Sequence, residues 1–422
     1  MELEVYFKFI LSFGLILIAA RIGGELAERY LKQPPVLGEL VAGIIISPFA
    51  LGLLISDPII LKDVVVELPP ALQALGYHEM KPLEFISQVA VIVLLFVAGV
   101  ETDVRSFLRY GLTGAAVAVG GVVLPFAFGY LITRAFFPDI GTAGWLFMGA
   151  VLTATSIGIT VRILMDMGRL ATPEGTTILV GAVIDDIIGL VILSVVVSMA
   201  EPGAQISIAS AVRTGAIGFA VWFGLLMIGV RFGHYISRFL LQPFRRSGTI
   251  PIFALIVGLI LAYLVTLVDL HPVVGAYVAG LVFAATREKE EIVEHTRPIM
   301  LFLAPFFFAY LGMQVDLRMS GLAWLVGVIL IVGATLGKII GCALPAKFVG
   351  RLSNSGAMIV GIGMVPRGEV GLIIAGAGFL AGAINRELFA VAVVVSIFTT
   401  LITPAMLKPF FRRREMVPSP PR

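Results

Sequence analysis

The chain holds a single cysteine and four histidines in 422 residues, and lysine, arginine, aspartate and glutamate together make up only 14% of it. Each shortage excludes something. Cys342 alone forbids an internal disulfide, and its place inside an apolar run says nothing about compartment. His78, His234, His271 and His295 are scattered and, with one thiol, offer no soft-metal cluster. A soluble domain carries about 25% charged and about 45–50% apolar residues. Here 59% of the residues are hydrophobic, and the mean hydropathy is +1.04. Such a chain cannot cover its core with polar surface, so a soluble enzyme, a nucleic-acid binder and a disordered scaffold are all excluded. The net charge of +3 does not revive a nucleic-acid partner, because the basic residues sit in short connections between apolar runs. A membrane β-barrel is excluded as well, since its strands alternate apolar and polar residues and these runs are continuous.

What is present is a series of runs of about 20 apolar residues, the length that spans a bilayer as a helix. About thirteen can be read, near 6–30, 36–55, 84–101, 112–137, 143–166, 177–200, 207–237, 250–268, 272–286, 296–315, 322–346, 356–379 and 387–411. The expected fold is an all-α polytopic membrane protein. The first run follows the acidic Glu2 and Glu4, carries Arg21 and Glu25 and lacks a small-residue cleavage site, so it reads as a transmembrane helix and not as a signal peptide. The stretch 56–83 reads as an exposed polar loop. One set of connections holds most of the Lys and Arg, including Arg29, Lys32, Arg105, Arg109, Arg169 and the tail Arg412–Arg414. The other set holds Lys62, Lys81, Arg134, Arg318 and Arg386. The positive-inside bias then places the C-terminus in the cytoplasm and the N-terminus outside the plasma (inner) membrane.

The chain also repeats itself. Pro35-Val36-Leu37-Gly38-Glu39-Leu40-Val41-Ala42-Gly43 matches Pro272-Val273-Val274-Gly275-Ala276-Tyr277-Val278-Ala279-Gly280, and the segment from Gly99 to Arg105 echoes Gly312 to Arg318. The order is the same in both halves but the assigned orientation is opposite, with Arg105 inside and Arg318 outside. An inverted-topology repeat is a mark of secondary transporters, whose substrate site lies at mid-membrane where helices are interrupted. Two corresponding spans carry such interruptions, Thr153-Ala154-Thr155-Ser156-Ile157-Gly158 and Gly361 to Glu369 with Pro366 at its centre. Backbone groups freed there are tolerable only where they line a wet or protein-packed cavity.

Charge inside a span costs at least about 2.5–3.5 kcal/mol per group, so each such residue is a candidate functional group. Asp185 and Asp186 lie mid-span, as does Lys338. Arg367 and Glu369 belong to the second interruption, and Glu39, Arg21 and Glu25 lie nearer span ends. Two adjacent carboxylates cannot both stay ionised cheaply where water is scarce, and one opposite charge holds one of them ionised. Neighbours on a helix point about 100° apart, so one can face an ion cavity and the other a partner. Lys338 is the ammonium available for that pairing. Arg367 and Glu369 read either as part of the site or as a charge-compensating ion pair of the broken helix. Carboxylate, the hydroxyls of Thr153, Thr155 and Ser156 and freed carbonyls are hard oxygen ligands suited to Na⁺ or Li⁺ and not to a transition metal. Protons and the cation would compete for the same carboxylates, giving exchange without covalent chemistry. A channel is the less fitting class, because no filter-like run recurs four times.

In the Asp185-Asp186 pair, the Thr153-Ala154-Thr155-Ser156 segment, Lys338 and Pro366-Arg367-Gly368-Glu369, the chain resembles the bacterial monovalent cation:proton antiporters, in their NapA/GerN-like branch. The resemblance spans essentially the whole chain. It implies two crossing discontinuous helices, a core transport domain (84–200 and 291–411), dimerisation and scaffold helices (1–60 and 201–290) in a homodimer, and a cytoplasmic tail (412–422). It implies elevator-type alternating access with Na⁺ at Asp186, Asp185 paired to Lys338, electrogenic exchange and no cofactor. Potassium-efflux relatives of the Kef type carry Gln at the first position of the pair. Asp185 stands there in this chain, which leaves K⁺/H⁺ exchange or K⁺ efflux as the alternative.

Overall fold

The computed structural model describes residues 2–48, 50, 66–67, 79–200, 249–267, 272–314 and 319–415, together with part of 213–235. Most of the expected loop 56–83, much of the span 207–237, His78, His234, His271, the marker residues 315–318 and the end of the tail lie outside the described residues. The described chain is helical apart from one short antiparallel pairing of Val66–Glu67 with Glu79–Met80. Among the described residues, eight helical segments are long and apolar enough to cross a membrane, and four more apolar helices are shorter. These twelve match twelve of the thirteen expected spans, and the remaining one is 207–237.

The first half runs through α1 (Glu2–Arg29), α2 (Pro35–Ile46), α3 (Pro82–Glu101), α4 (Val104–Arg109), α5 (Gly111–Phe136), α6 (Gly141–Thr153), α7 (Ile157–Asp166) and α8 (Pro173–Ala200). The second half runs through α9 (Ile250–Thr266), α10 (Pro272–Ala284), α11 (Lys289–Met313), α12 (Gly321–Phe348), α13 (Asn354–Gly363), α14 (Glu369–Leu380) and α15 (Arg386–Glu415). Proline opens α2, α3, α8 and α10, where its missing N–H is one that the first turn leaves unpaired in any case. Ser320 and Ser353 cap α12 and α13 by accepting from Ala323 N and Gly356 N. Asp103, in the exposed turn before α4, accepts from the Ser106 hydroxyl and backbone N–H at 2.6 and 3.1 Å, and these bonds hold its carboxyl below its ordinary value.

The repeat is written into the packing. A side chain on Gly43 of α2 would strike the carbonyl of Ala309 on α11, and one on Gly280 of α10 would strike that of Phe96 on α3. Conversely, Gly312 of α11 sits on the carbonyl of Leu40, and Gly99 of α3 on that of Tyr277. Gly43 and Gly280 hold the same place in the first repeated motif, as Gly99 and Gly312 do in the second, and each receiving carbonyl lies three residues before the matching glycine. One pair of backbone contacts therefore occurs twice with the halves exchanged. Helices α5 and α12 meet each other across the centre, where Gly120 and Gly341 each lie against the other's carbonyl. Small residues permit this because packing, not burial from water, drives helix association in lipid. Outside the bundle the surface is apolar, with Phe7, Ile18, Ile260 and Val332 all more than half exposed, as helices facing hydrocarbon require.

Candidate ion-binding site

The site forms where two spans stop and restart. Helix α6 ends at Thr153 and α7 begins at Ile157, while α13 ends at Gly363 and α14 begins at Glu369. Pro366 explains the second break, because it has no N–H to give and steers Val365 away from helical backbone. Gly368 lies so close to Ser156 that a Cβ would meet the serine side chain. The first break has no proline. Ala154 and Ser156 are extended there, and the Ser156 hydroxyl caps α7 by accepting from Ile159 N at 3.3 Å. The two interruptions then satisfy each other. Ser156 N–H donates to Pro366 O at 2.9 Å, the Thr155 hydroxyl to Met364 O at 3.1 Å and the Thr160 hydroxyl to Gly363 O at 3.2 Å.

Arg367 is fully buried at this crossing. Its guanidinium donates to Leu152 O through Nε at 3.1 Å and Nη2 at 2.6 Å, to Val365 O at 3.0 Å and to Ala334 O at 3.2 Å. Those carbonyls include the ends of α6 and the segment leaving α13, where helix dipoles gather partial negative charge. Its described partners are thus backbone carbonyls. The side chain of Glu369 lies outside the described residues, and with it the expected Arg367–Glu369 pair. The Thr400 hydroxyl of α15 in turn donates to Arg367 O at 2.8 Å.

Against the crossing stands α8 with its two acids. Lys338 of α12 donates to both carboxylate oxygens of Asp185 at 3.1 Å, and side-chain exposure is 0% for the lysine and 1% for the aspartate. Thr155 also reaches Asp185 with its hydroxyl and its backbone N–H, so its hydroxyl lies between the Asp185 carboxylate and Met364 O. Asp186 is buried one residue further on, at 4% exposure. Of the expected residues, Asp185, Lys338 and Thr155 are in direct contact, and Ser156 and Arg367 belong to the same crossing. Thr153 is buried there too, but its hydroxyl donates back to Ala150 O at 2.7 Å within its own helix. Gly121 of α5 makes room for the ammonium, since a Cβ there would meet Cys342 Sγ and stand 3.3 Å from Lys338 Nζ.

Residues 9–413 match the family model described as sodium/hydrogen exchanger, transmembrane. The chain belongs to the sodium/hydrogen exchanger family. Among its relatives, the high-affinity Na⁺/H⁺ antiporter NhaS3 of Synechocystis sp. is 34% identical, covering 98% of this chain and 92% of its own. The Na⁺/H⁺-K⁺ antiporter GerN of Bacillus cereus is also 34% identical, over 97% and 98%. A Na⁺/H⁺ antiporter of Enterococcus hirae is 30% identical, over 96% and 99%. The fold is that of the sodium proton antiporter MjNhaP1 of Methanocaldococcus jannaschii, which superimposes with a TM-score of 0.64 at 17% identity over 96% of each chain. As a sodium/hydrogen exchanger the chain is a transporter, not a catalyst.

Sequence reasoning missed several residues of this exchanger that the structure brings forward. Thr160 and Thr400 tie down the breaks, and their hydroxyls carried no signal among the many threonines of apolar spans. Arg162 is different. It sits in the apolar run just after the first break, where its charge alone marks it, and it is buried against Glu39 and paired with Asp166.

Proposed function

We propose that this exchanger moves Na⁺ or Li⁺ against H⁺ through a single site at the crossing, with Asp186 as the principal cation ligand and Asp185 held by Lys338. The observation that carries the reading is the buried Asp185–Lys338 pair standing against two mutually bonded helix breaks. Buried carboxylate and hydroxyl oxygens of this kind are hard ligands for a small alkali cation. Thr155 and Ser156, with Thr153 and the nearby carbonyls, supply oxygens beside the acids. A carboxylate that holds either a proton or a cation exchanges one for the other when the site opens to each side in turn. Lys338 keeps a compensating charge beside Asp185, which favours electrogenic exchange in which charge carried in one direction is not matched in the other.

In the same reading, helices within 84–200 and 291–411 form the moving core, and those within 1–60 and 201–290 form a scaffold that dimerises in the plasma membrane. The basic connections and the tail 412–422 face the cytoplasm. No cofactor takes part beyond the transported ions.

Proteoliposomes test the reading directly. With wild-type protein, added Na⁺ or Li⁺ collapses an imposed pH gradient, and Asp186→Asn abolishes that response. Exchange at wild-type rate by Asp186→Asn would overturn the site. Activation by K⁺ but not by Na⁺ or Li⁺ would select the potassium alternative.

A further inference from the structure

A second group of charges, two of them buried, lies away from the crossing. Arg162 of α7 donates through Nη2 to Glu39 of α2 at 3.2 Å and through Nε to Asp166 at 2.8 Å. Side-chain exposure is 4% for Arg162, 1% for Glu39 and 13% for Asp166. Asp166 also accepts from the backbone N–H of Val36 in the first turn of α2, where the helix dipole favours an anion. The cluster therefore fastens one end of half-helix α7 to the start of α2 by two charged contacts. The other end of α7 is the break that carries Thr155 and Ser156. Nothing in the proposed exchange step uses this cluster.

Two features show that the fastening is conditional. Glu39 Oε2 and Arg162 Nη1 are buried without a hydrogen-bond partner among the described residues, so the pair is incompletely satisfied. Glu39 also lines a cavity of about 430 Å³ with Arg21, Gly24, Glu25, Glu28 and Pro35, which brings open space up to its side chain. The groups facing Glu39 are Arg21, Glu25 and Glu28 from α1 and Arg162 and Asp166 from α7. Helix α11 meets α2 through Ala309 and Gly312, and α15 brings Lys408 to the neighbouring cavity beside Asp166. By contrast, α1, α2 and α11 are joined through backbone, at Gly23 against Gly38 and at Gly43 against Ala309. Those contacts have no dependence on charge.

We infer that Glu39, Arg162 and Asp166 form a second proton-binding site, separate from Asp185–Asp186, that latches half-helix α7 to α2 while Glu39 is ionised and loosens it when Glu39 takes up a proton. The inference rests on the exchanger reading only for its consequence, that α7 shifts during exchange. The sign follows from charge. Protonation removes the attraction to Arg162, so both contacts hold at high pH, and as pH falls through the Glu39 titration only the Asp166–Val36 contact remains and the latch loosens.

Hydrogen–deuterium exchange of residues 157–166, in full-length protein in nanodiscs and corrected for intrinsic rates, reads the latch. In the wild type, protection falls at least about tenfold from alkaline to acidic pH, as expected when a buried pair loses one charge. In Glu39→Gln and in Arg162→Gln, protection is low and flat with pH. Glu39→Asp, which keeps a titrating carboxyl, retains a transition. Asp186→Asn retains the wild-type transition although its ion exchange is lost. A wild-type transition in Glu39→Gln, or its disappearance in Asp186→Asn alone, overturns the latch. Persistent Na⁺ exchange by Asp186→Asn overturns the exchange site and leaves this measurement untouched.

Discussion

At the scale of single residues, Lys338 and Asp185 decide how the acids can behave. Each is buried and each has the other as its charged partner. Replacing one leaves an uncompensated charge in a poorly solvated place, a loss of about 3–5 kcal/mol, whereas replacing both with neutral groups of similar shape removes the burden as well as the bond. Lys338→Gln and Asp185→Asn should therefore each lower the melting temperature in detergent, and the double variant should recover most of the loss. A double variant as unstable as the worse single one would show that the pair is not the source. Voltage-dependent transport separates stability from function, because Lys338→Gln should alter or abolish electrogenic current even where the protein remains folded. Unchanged currents would count against the pairing. These two residues were legible in the sequence because charge in an apolar run is rare. Arg367 was legible as a residue but not as a contact. Its partners are carbonyls of three separate segments, and no pattern of side-chain types encodes a bond to backbone.

At the scale of elements, the glycines carry the architecture. The spans and the repeat could be read from hydropathy and from two short motifs, and so could the broken helix with its proline. The first break was harder to place because a Thr-Ala-Thr-Ser run is compatible with a continuous helix. It is held open by bonds from the other break, which are distant in sequence. What the motifs did not disclose is that their glycines are contact points. Gly280→Val should drive α10 away from α3, since its first side-chain atom already meets the carbonyl of Phe96, and Gly43→Val should do the same between α2 and α11. Because the two contacts are related by the repeat, the two variants should lose comparable amounts of folded protein on size-exclusion chromatography. Gly376→Ala, with nothing within 4 Å of its added methyl, should behave as wild type. Tolerance of valine at either contact position would mean that the helix backbones do not touch there in the membrane.

At the scale of the whole molecule, a site that holds either a proton or an alkali ion links the two affinities, and the linkage is reciprocal. Under the proposed mechanism, a proton bound at Asp186 leaves before Na⁺ enters. The apparent KM for Na⁺ should therefore rise about tenfold for each unit that pH falls below the site's titration and level off above it, the slope for one competing proton. A slope nearer twice as steep would mean that Asp185 also gives up a proton on cation binding, which requires Lys338 to release it and take over the charge balance. The buried geometry makes the first outcome the expected one, because Asp185 already has the ammonium on both its oxygens. The latch at Glu39 adds a separate effect. It acts on how readily α7 shifts and not on the ligands, so it should change the maximal rate with pH while leaving the KM slope in place. Measuring exchange at several Na⁺ concentrations and pH values separates the two. In Glu39→Gln the KM slope should match the wild type while the pH dependence of the saturated rate is altered. A KM independent of pH in the wild type would break the link between cation and proton, and with it the claim that both use one carboxylate.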